Sequence, residues 1–327
     1  MSATNAGILI VSYNSSAFLD PCLRAALSNS ENVVVVDNAS EDDSCAVILR
    51  HSRARLIANP KNVGFAAAVN QGITALDLEY VLLLNPDAVL KTPLDALIEA
   101  CSRDNTAAAG GKLIDAQGGL QTGFCVRRFP TAITLAFEAL GLNRLWRSNP
   151  VNRRYRCLDL DLTRPQSVDQ PAGAFLMIRC SVWAKLGGFD ESFFPVWFEE
   201  VDFLKRARNA GYVIHYTPDA VATHHGAHSI QGLPAAASRL YWYDNLIRFS
   251  AKHFHSIGFR MVCAAVLAGV SARAVMGMLS GPVARKVSGC GAVLRLAVTL
   301  LIRGPGSGTN GETARQTKLS NSHSHGL

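Results

Sequence analysis

Hydrophobic residues in the first 90 positions form short continuous runs, and these runs alternate with segments in which apolar residues have helical spacing. The runs typical of buried strands are "GILIVSYN" (7–14), "NVVVVDNAS" (32–40), "ARLIANPKNVG" (54–64, a strand followed by a turn) and "YVLLLNPD" (80–87). The segments with helical spacing are 16–29 and 65–76. Strands that alternate with helices predict βαβ units, an α/β fold class and a mostly parallel sheet flanked by helices.

The second half of the chain gives a weaker pattern. Residues 110–165 are less regular, whereas 172–194 predicts a strand, a short helix and a Gly-Gly turn. An amphipathic helix is predicted at 198–211 and a strand at 212–218. The segment 220–229 is rich in histidine and is expected to be a loop.

Polar residues follow each of the four N-terminal strands. These residues are Ser12 and Asn14, Asp37 and Asn38, Asn59 and Asn62, and Asn85 and Asp87. Ligands of such sheets bind beyond the carboxyl ends of the strands. Asn, Asp and Pro also favour turns, so each pair alone fits ordinary turn chemistry. Four pairs at one edge favour a ligand site.

Composition narrows the class of protein. The 327 residues allow one large domain or two medium ones, and the net charge of +7 suits an anionic partner. The eight cysteines include no C-x-x-C pair, which indicates reduced thiols in a cytosolic protein. The N-terminal segment has no basic region and a short apolar run, so it does not read as a signal peptide.

Two segments are strongly basic. Residues 144–156 carry five arginines (Arg144, Arg147, Arg153, Arg154 and Arg156), which fits either a solvated surface or a contact with phosphate. Residues 245–311 contain eight basic residues and no acidic one. Their longest apolar run covers about 18 Å as a helix, shorter than the roughly 30 Å of a bilayer core, although 261–284 could cross if Arg273 were tolerated. Helices lying in the membrane interface fit this segment, and a helical pair capping the core is the alternative.

Ordered motifs give the chain a family resemblance. The motifs are "VSYNS" (11–15), "VVVVDNAS" (33–40), "NPKNVGFAAAVNQGI" (59–73), "LLLNPDAVL" (82–90), "PAGAFLMIR" (171–179), "GGFDESFF" (187–194), "FEEVDFLKRARNAG" (198–211) and "THHGAHS" (223–229). With these motifs, residues 6 to about 250 resemble family 2 glycosyltransferases of the GT-A fold, most closely the bacterial rhamnosyltransferase branch. Transfer from a nucleotide-diphosphate sugar needs a nucleotide pocket, a divalent cation and a base.

The resemblance implies a set of nucleotide-binding residues, with Asp37 on the base or ribose and Asn14 beside it. The full set is Ser12, Asn14, Asp37, Asn38, Asn62, Gly64, Phe65, Asn70 and Asn85. The family usually shows D-x-D after the fourth strand. Because Asn85 takes the first position here, Asp87 is the expected direct ligand of Mg²⁺ or Mn²⁺. His224 is the second expected ligand, and His225 and His228 are neighbouring alternatives.

The resemblance also implies the base. Glu200 stands at the second acidic position of an E-D-x-D pattern, where the family usually has aspartate. Glu199 and Asp202 remain candidates on the acceptor side, and Asp190 in "GGFDE" resembles an acceptor-side residue. Acidic residues also favour the first turn of any helix, so charge alone does not identify the base.

Together these features predict an inverting glycosyltransferase. The expected donor is dTDP-L-rhamnose, with galactosyl, mannosyl or N-acetylglucosaminyl donors as alternatives. The expected acceptor is a polyprenyl-linked saccharide or cell-envelope glycan at the cytoplasmic face of the membrane, and no nucleic acid is expected. The expected domains are a catalytic domain (1–250), a helical extension (251–303) and a disordered tail (304–327). A catalytically inactive nucleotide-sugar binding module remains a rival. A dinucleotide oxidoreductase is disfavoured because the first strand lacks G-x-G-x-x-G.

Overall fold

A central sheet of nine strands organises the molecule, whose computed structural model describes residues 5–226, 235–279 and 290–303. The strands, including the separate pair β7 and β9, are β1 (Ala6–Ser12), β2 (Val33–Asp37), β3 (Ala54–Ala58), β4 (Tyr80–Leu84), β5 (Ala88–Leu90), β6 (Thr106–Ile114), β7 (Val126–Arg127), β8 (Gln166–Ser167), β9 (Gln170–Pro171), β10 (Phe175–Arg179) and β11 (Val213–His224). The described helices are α1 (Ser16–Asn29), α2 (Ser44–Leu49), α3 (Phe65–Leu76), α4 (Asp95–Ser102), α5 (Ala132–Leu140), α6 (Leu142–Leu145), α7 (Pro150–Tyr155), α8 (Cys180–Lys185), α9 (Glu199–Asn209), α10 (Ala235–His253), α11 (Ser256–Leu279) and α12 (Cys290–Arg303).

The N-terminal half of the sheet confirms the predicted α/β pattern. Its strands run in the order β3-β2-β1-β4, and all three pairings are parallel. β2 is buried along its whole length, as expected for β-branched residues covered by helices on both faces. The register places Ser12 opposite Asp37, so the polar residues after β1 and β2 meet at one edge.

Beyond β4 the sheet continues in the order β10-β6-β11-β5, with β8 also paired to β11. β6 and β11 pair in parallel, and β10 runs antiparallel to both β4 and β6. The sequence did not predict β6, because its buried stretch consists of alanine and glycine, which carry little strand signal.

The expected histidine-rich loop begins later than predicted. β11 runs without a break to His224, past a register shift between Thr217 and Val221. Pro218 and Asp219 in that irregular stretch look like a turn in sequence, yet the chain resumes and pairs with β5. His224 therefore lies opposite Ala88 in a strand pair, next to Asp87.

The C-terminal helices form a layer with their own core. Buried residues of α5, α10, α11 and α12 pack together there with Phe198 and Val201. α11 contains one 21-residue stretch, Ser256–Met276, that is long and apolar enough to cross a membrane, and 39% of its most apolar window is buried in the protein. The expected boundary at residue 250 is misplaced, because it cuts through the continuous helix α10.

Candidate active site

A narrow cleft opens at the carboxyl edge of β1, β2 and β4. Four residues predicted from the sequence line it: Asn38, Asn62, Phe65 and Asn85. Val11, Tyr13, Pro195 and Val196 complete the lining. Phe65 N–H donates to Pro195 O at 2.7 Å, so the predicted nucleotide motif touches the loop before α9.

Hydrogen bonds between side chains order the floor of this cleft. Asn38 Nδ2 donates to Asn62 Oδ1 at 3.1 Å, and Asn62 Oδ1 also accepts from Gly64 N–H at 2.9 Å. Gly64 has φ of +91°, and a Cβ there would lie 2.9 Å from Phe194. Glycine is needed at this position for both its backbone angle and its close approach to the loop.

Asp37 and Asn14 are brought together through Ser40. Both carboxylate oxygens of Asp37 accept from Ser40, from the hydroxyl at 2.6 Å and from the backbone N–H at 2.9 Å. Asn14 N–H donates to the same hydroxyl, and Asn14 Oδ1 accepts from Glu41 N–H. Ser12, the partner of Asp37 in the sheet, is fully buried and its Oγ has no hydrogen-bond partner among the described residues.

Asn70 has a different role from the one predicted. Its Nδ2 donates to Phe189 O and Glu191 Oε1, and its Oδ1 accepts from Trp183 Nε1 and Phe189 N–H. Because the amide makes four hydrogen bonds within the protein, it ties α3 to the turn after α8. The predicted nucleotide contact of Asn70 is therefore not supported by its geometry.

Asp87 and His224, the two residues predicted to hold a cation, lie side by side. Asp87 Oδ2 accepts from Gly226 N–H at 2.9 Å, whereas the buried Oδ1 has no hydrogen-bond partner among the described residues. His224 Nε2 lies 3.5 Å from Oδ1, and both side chains are at most 4% exposed. His225 is exposed and donates its backbone N–H to Asp87 O, and His228 lies outside the described residues.

Gln121 orients His224. His224 Nδ1 lies 3.0 Å from Gln121 Oε1, and Gln121 Nε2 donates to His224 O. A neutral imidazole that donates from Nδ1 keeps the lone pair of Nε2 towards Asp87, as second-shell partners of metal-binding histidines do. Phe124 stacks on the ring at 5.0 Å between centroids. Asp87 Oδ1 and His224 Nε2 thus fit a divalent cation that takes its other ligands from phosphate and water.

The three acids at the start of α9 have separate roles. Asp202 is fully buried and binds Arg206, Lys252 and His253. Burial would raise its pKa, but these partners hold the pKa below its usual value. An acid that already bonds two cationic side chains and a histidine is a structural anchor, so Asp202 is a poor base.

Glu200 keeps the position predicted for the base. It is half-buried and lies against Gly173, where a Cβ would approach Glu200 Cγ to 3.2 Å. Burial raises its pKa, against the opposing effects of backbone N–H groups and Arg127. Glu199 beside it is buried with Oε2 unpartnered among the described residues, and burial and the charge of Glu200 raise its pKa well above the ordinary value. Of the two, Glu200 has the access that an acceptor hydroxyl needs.

Glu200 and the Asp87–His224 pair lie at one edge of the sheet. Asn85 N–H donates to Ala174 O at 3.0 Å, directly after the Gly173 on which Glu200 rests. The motifs around 85–87, 171–174 and 199–200 are distant in sequence and converge here. The arrangement combines a site for a cation with a carboxylate that can accept a proton.

The loop before α9 has an unusual backbone. Trp197 and Phe198 have φ of 85° and 73°, a region that bulky residues rarely occupy and that costs about 1–3 kcal/mol each. Asn245 of α10, fully buried, donates from Nδ2 to Phe194 O and Val196 O. Phe198 packs on Phe249 of the same helix at 5.4 Å between centroids. α10 therefore holds the backbone that delivers Glu200.

Comparisons with known proteins agree with this geometry. A sequence model of the family described as "Glycosyl transferase family 2" matches residues 7–183, more than half of the chain. The chain belongs to this family. The N-acetylglucosaminyl-diphospho-decaprenol L-rhamnosyltransferase of Mycobacterium tuberculosis (strain H37Rv) is 30% identical to this family 2 chain over 263 residues, covering 75% of the chain and 84% of the relative.

A second relative and a solved structure extend the comparison. Rhamnosyltransferase WbbL of Escherichia coli K12 is 27% identical to this family 2 chain over 175 residues, covering 53% of the chain and 62% of WbbL. The crystal structure of GalNAc-T7 with UDP, GalNAc and Mn²⁺ superposes with a TM-score of 0.54 at 14% identity, covering 76% of this chain and 50% of that one. This likeness confirms the GT-A fold.

Sequence reasoning missed several residues of this family 2 site. Gln121, Asn245, Lys252 and His253 act through contacts with residues between 49 and 103 positions away. Lys252 Nζ lies 2.6 Å from Asp190 Oδ2 as well as close to Asp202. Tyr13 lies within the "VSYNS" motif and could have been found from its place after β1.

Proposed function

We propose that this chain is an inverting rhamnosyltransferase that moves L-rhamnose from dTDP-L-rhamnose to a polyprenyl-diphosphate-linked saccharide. The observation that carries the reaction class is the convergence of Glu200 with the Asp87–His224 pair at one sheet edge. The choice of sugar and acceptor is supported by the names of the relatives in Mycobacterium tuberculosis and Escherichia coli. If the acceptor substrate is lipid-linked, the protein acts at the cytoplasmic face of the membrane.

In the proposed reaction, Glu200 accepts the proton of the acceptor hydroxyl as its oxygen attacks the anomeric carbon of the donor. The bond between that carbon and the diphosphate oxygen breaks, and the nucleoside diphosphate leaves with the electron pair. A single displacement inverts the configuration at the anomeric carbon. The raised pKa of Glu200 suits a general base, since proton transfer is most effective when the pKa lies near the working pH.

The other residues bind and orient the donor. Asp87 and His224 would hold a divalent cation, which neutralises charge on the departing diphosphate. Asn38 and Asn62 are polar groups for the nucleotide, and Tyr13 offers a ring beside them in the cleft. Asp37 is buried and bonded to Ser40, and would contact the base or ribose only through its remaining acceptor capacity. The buried, unpartnered Oδ1 of Asp87 is the feature that a cation would complete.

A donor panel with Mg²⁺ or Mn²⁺ tests the proposal. The panel contains dTDP-rhamnose and nucleotide-linked galactose, mannose and N-acetylglucosamine, and binding is read as a thermal shift. We expect the largest shift with dTDP-rhamnose, and cation-dependent donor hydrolysis in the absence of acceptor. A larger thermal shift with another nucleotide sugar would identify that compound as the donor in place of dTDP-rhamnose. Binding with neither hydrolysis nor transfer to a polyprenyl-diphosphate saccharide would indicate a binding module.

A further inference from the structure

The segment between α5 and α7 has an inverted distribution of polar and apolar side chains. Asn143 and Asn149 are buried, at 7% and 0% exposure, whereas Leu145 and Trp146 between them are 82% and 58% exposed. Apolar side chains usually occupy the interior and amides the surface. Here the amides are inside and the largest apolar side chains point outward.

The buried amides fix this arrangement. Asn149 Nδ2 donates to Asn143 Oδ1 at 3.0 Å and to Trp146 O at 2.6 Å. Asn152 Nδ2 donates to Arg147 O at 2.7 Å, and Asn152 N–H donates to Asn149 Oδ1 at 2.7 Å. The carbonyls of Trp146 and Arg147 are thus held from inside, so the side chains of this turn are presented outward by the fold itself.

Arginines outnumber acids around the two apolar side chains, and the nearby acids are already bonded, since Glu138 accepts from Asn143 and Asp159 pairs with Arg128. Arg144, Arg147, Arg153 and Arg154 are exposed, and the sequence contains no acidic residue between Glu138 and Asp159. We call Arg144, Leu145, Trp146, Arg147 and Arg153 the docking patch. Tryptophan prefers the headgroup level of a bilayer, and arginines gain from anionic lipid headgroups.

Apolar exposure continues beside the docking patch. Leu140 at the end of α5 is 37% exposed, and Val275 of α11 is 56% exposed. Arg273 donates to Ala139 O at 2.9 Å, so this part of α11 lies at the same end of the helical layer as the docking patch. The combination of insertable side chains with a rim in which arginines predominate is complementary to an anionic lipid surface.

We propose that the docking patch binds the surface of an anionic phospholipid bilayer, with Leu145 and Trp146 entering the boundary between headgroups and acyl chains. The arginines then contact lipid phosphates. This places membrane contact outside the C-terminal segment that the sequence indicated. Within that segment Arg248, Lys252 and Arg273 already bind Asp244, Asp190 and Ala139, which leaves fewer of its eight basic residues for headgroups.

The docking patch is tied to the acceptor side of the active site. Arg128 N–H donates to Tyr155 O at 2.9 Å, and Arg128 Nη1 donates to Arg154 O at 2.6 Å, which joins α7 to β7. Arg127 of β7 lies over the Tyr155 ring at 5.8 Å, and its charge partly opposes the rise that burial causes in the pKa of Glu200. Use of the docking patch to present a lipid-linked acceptor rests on the proposed function, whereas bilayer binding itself requires no reaction.

Flotation of the full chain with vesicles tests the proposal. One set of vesicles is phosphatidylcholine, and the other is phosphatidylcholine and phosphatidylglycerol in equal parts. We expect strong binding to the anionic set and weak binding to the neutral one. The double variant Leu145→Ser/Trp146→Ser should lower the partition coefficient at least about tenfold. The double variant Arg147→Gln/Arg153→Gln should lower it about 25-fold on anionic vesicles, at about fivefold for each arginine.

A matched control lies at the end of α2. Leu49 is 70% exposed and is followed by the exposed Arg50 and Arg53. Leu49→Ser repeats the leucine change, and Arg50→Gln/Arg53→Gln repeats the arginine changes, on the N-terminal half of the chain. These variants should leave partition within about twofold. Nucleotide binding should stay unchanged in every variant, which shows that each is folded.

A spectroscopic variant locates the contact. Trp146→Phe should keep vesicle binding but lose most of the fluorescence quenching by lipids with brominated acyl chains. The proposal is overturned if the full chain floats with neither vesicle, or if the docking-patch variants float as well as the controls. It is also overturned if the docking-patch variants abolish self-association in sedimentation velocity without changing flotation, since a second copy would then be the occupant. If the chain floats with anionic vesicles but is inactive with every donor, the proposed function is rejected and the docking patch is retained as a membrane-binding surface.

Discussion

The ammonium group of Lys252, in the last turn of α10, lies 2.9 Å from the Asp202 carboxylate in the first turns of α9. His253 reaches the same carboxylate oxygen at 2.8 Å. Helix α10 therefore contacts the acidic cluster that contains the proposed base. The C-terminal helices thus support the proposed active site, and separate substitutions can test the role of each acid of α9.

Glu200→Gln should lower the turnover number about 10²- to 10⁴-fold, because the amide cannot accept the proton of the acceptor hydroxyl. Donor affinity and the free energy of unfolding should change little, since Glu200 is half-buried and makes no ion pair in the described chain. Transfer assays under saturating donor, with calorimetric titration of the nucleotide, check this. Near-normal turnover of Glu200→Gln would indicate that Glu199 is the base instead.

Asp202→Asn should act on stability instead. The substitution leaves Arg206 and His253 facing a neutral group in a fully buried setting, and breaking such a network costs about 3 kcal/mol. Denaturant unfolding monitored by circular dichroism measures this loss, with Glu200→Gln as the matched control. Equal stability of the two variants would show that the Asp202 network contributes little to the fold.

Acid should weaken the contact between α9 and α10. Hydrogen bonds from Lys252 and Ser192 outweigh burial and lower the pKa of Asp190 to about 2, and the pKa of Asp202 is also lowered. A depressed carboxyl pKa contributes stability that is fully present above the ordinary value near 4 and lost as pH falls towards 2. Unfolding free energies between pH 6 and about pH 3 should fall less steeply in Lys252→Met than in the parent chain. Parallel pH profiles would contradict the assignment.

Asp87→Ala should remove most of the cation-dependent part of donor binding, because it deletes the one carboxylate that faces His224 Nε2. Asn85→Ala should lose less, since a neutral amide adds no charge towards a cation. Isothermal titration of the donor with and without Mn²⁺ separates the two effects. Equal losses would mean that the Asn–Pro–Asp turn shapes the backbone and holds no cation.

Gln121→Leu should weaken Mn²⁺ binding about tenfold or more while leaving nucleotide binding without metal unchanged, because His224 loses the partner that orients its ring. Gln121→Glu keeps an acceptor for Nδ1 and should restore most of the affinity. Electron paramagnetic resonance of bound Mn²⁺ in the presence of a nucleoside diphosphate gives a readout independent of turnover. Similar affinity in all three chains would leave Gln121 with a packing role only.

The spacing of hydrophobic residues was enough to predict the N-terminal half of the fold. The helices at 16–29 and 65–76 agree with the structure at both ends, and the parallel strands follow from runs of buried β-branched residues. β6 and the part of β11 beyond the predicted strand 212–218 escaped prediction because alanine, glycine and proline in them carry weak or contrary local preferences. Their places are set by packing in the sheet.

The candidate site divides in the same way. Asp87, Glu200 and the asparagines of the cleft belong to short motifs that can be read in the sequence. The anchors of the site, such as Asn245 for the loop before α9, are single residues whose partners lie about 50 positions away. A single sequence gives no signal for such pairs, because their chemistry is visible only once the chain has folded.

The hydrogen bonds from Asn245 to the loop before α9 also imply an order of folding during synthesis. Domains fold from the N-terminus as the chain leaves the ribosome, so β1 to β4 and their helices can assemble early. The strained backbone at Trp197 and Phe198 has no support from α10 until Asn245 and Phe249 have emerged. The proposed nucleotide cleft would therefore form before the backbone that carries Glu200 is held in place, and the proposed transfer would require synthesis to have passed Phe249.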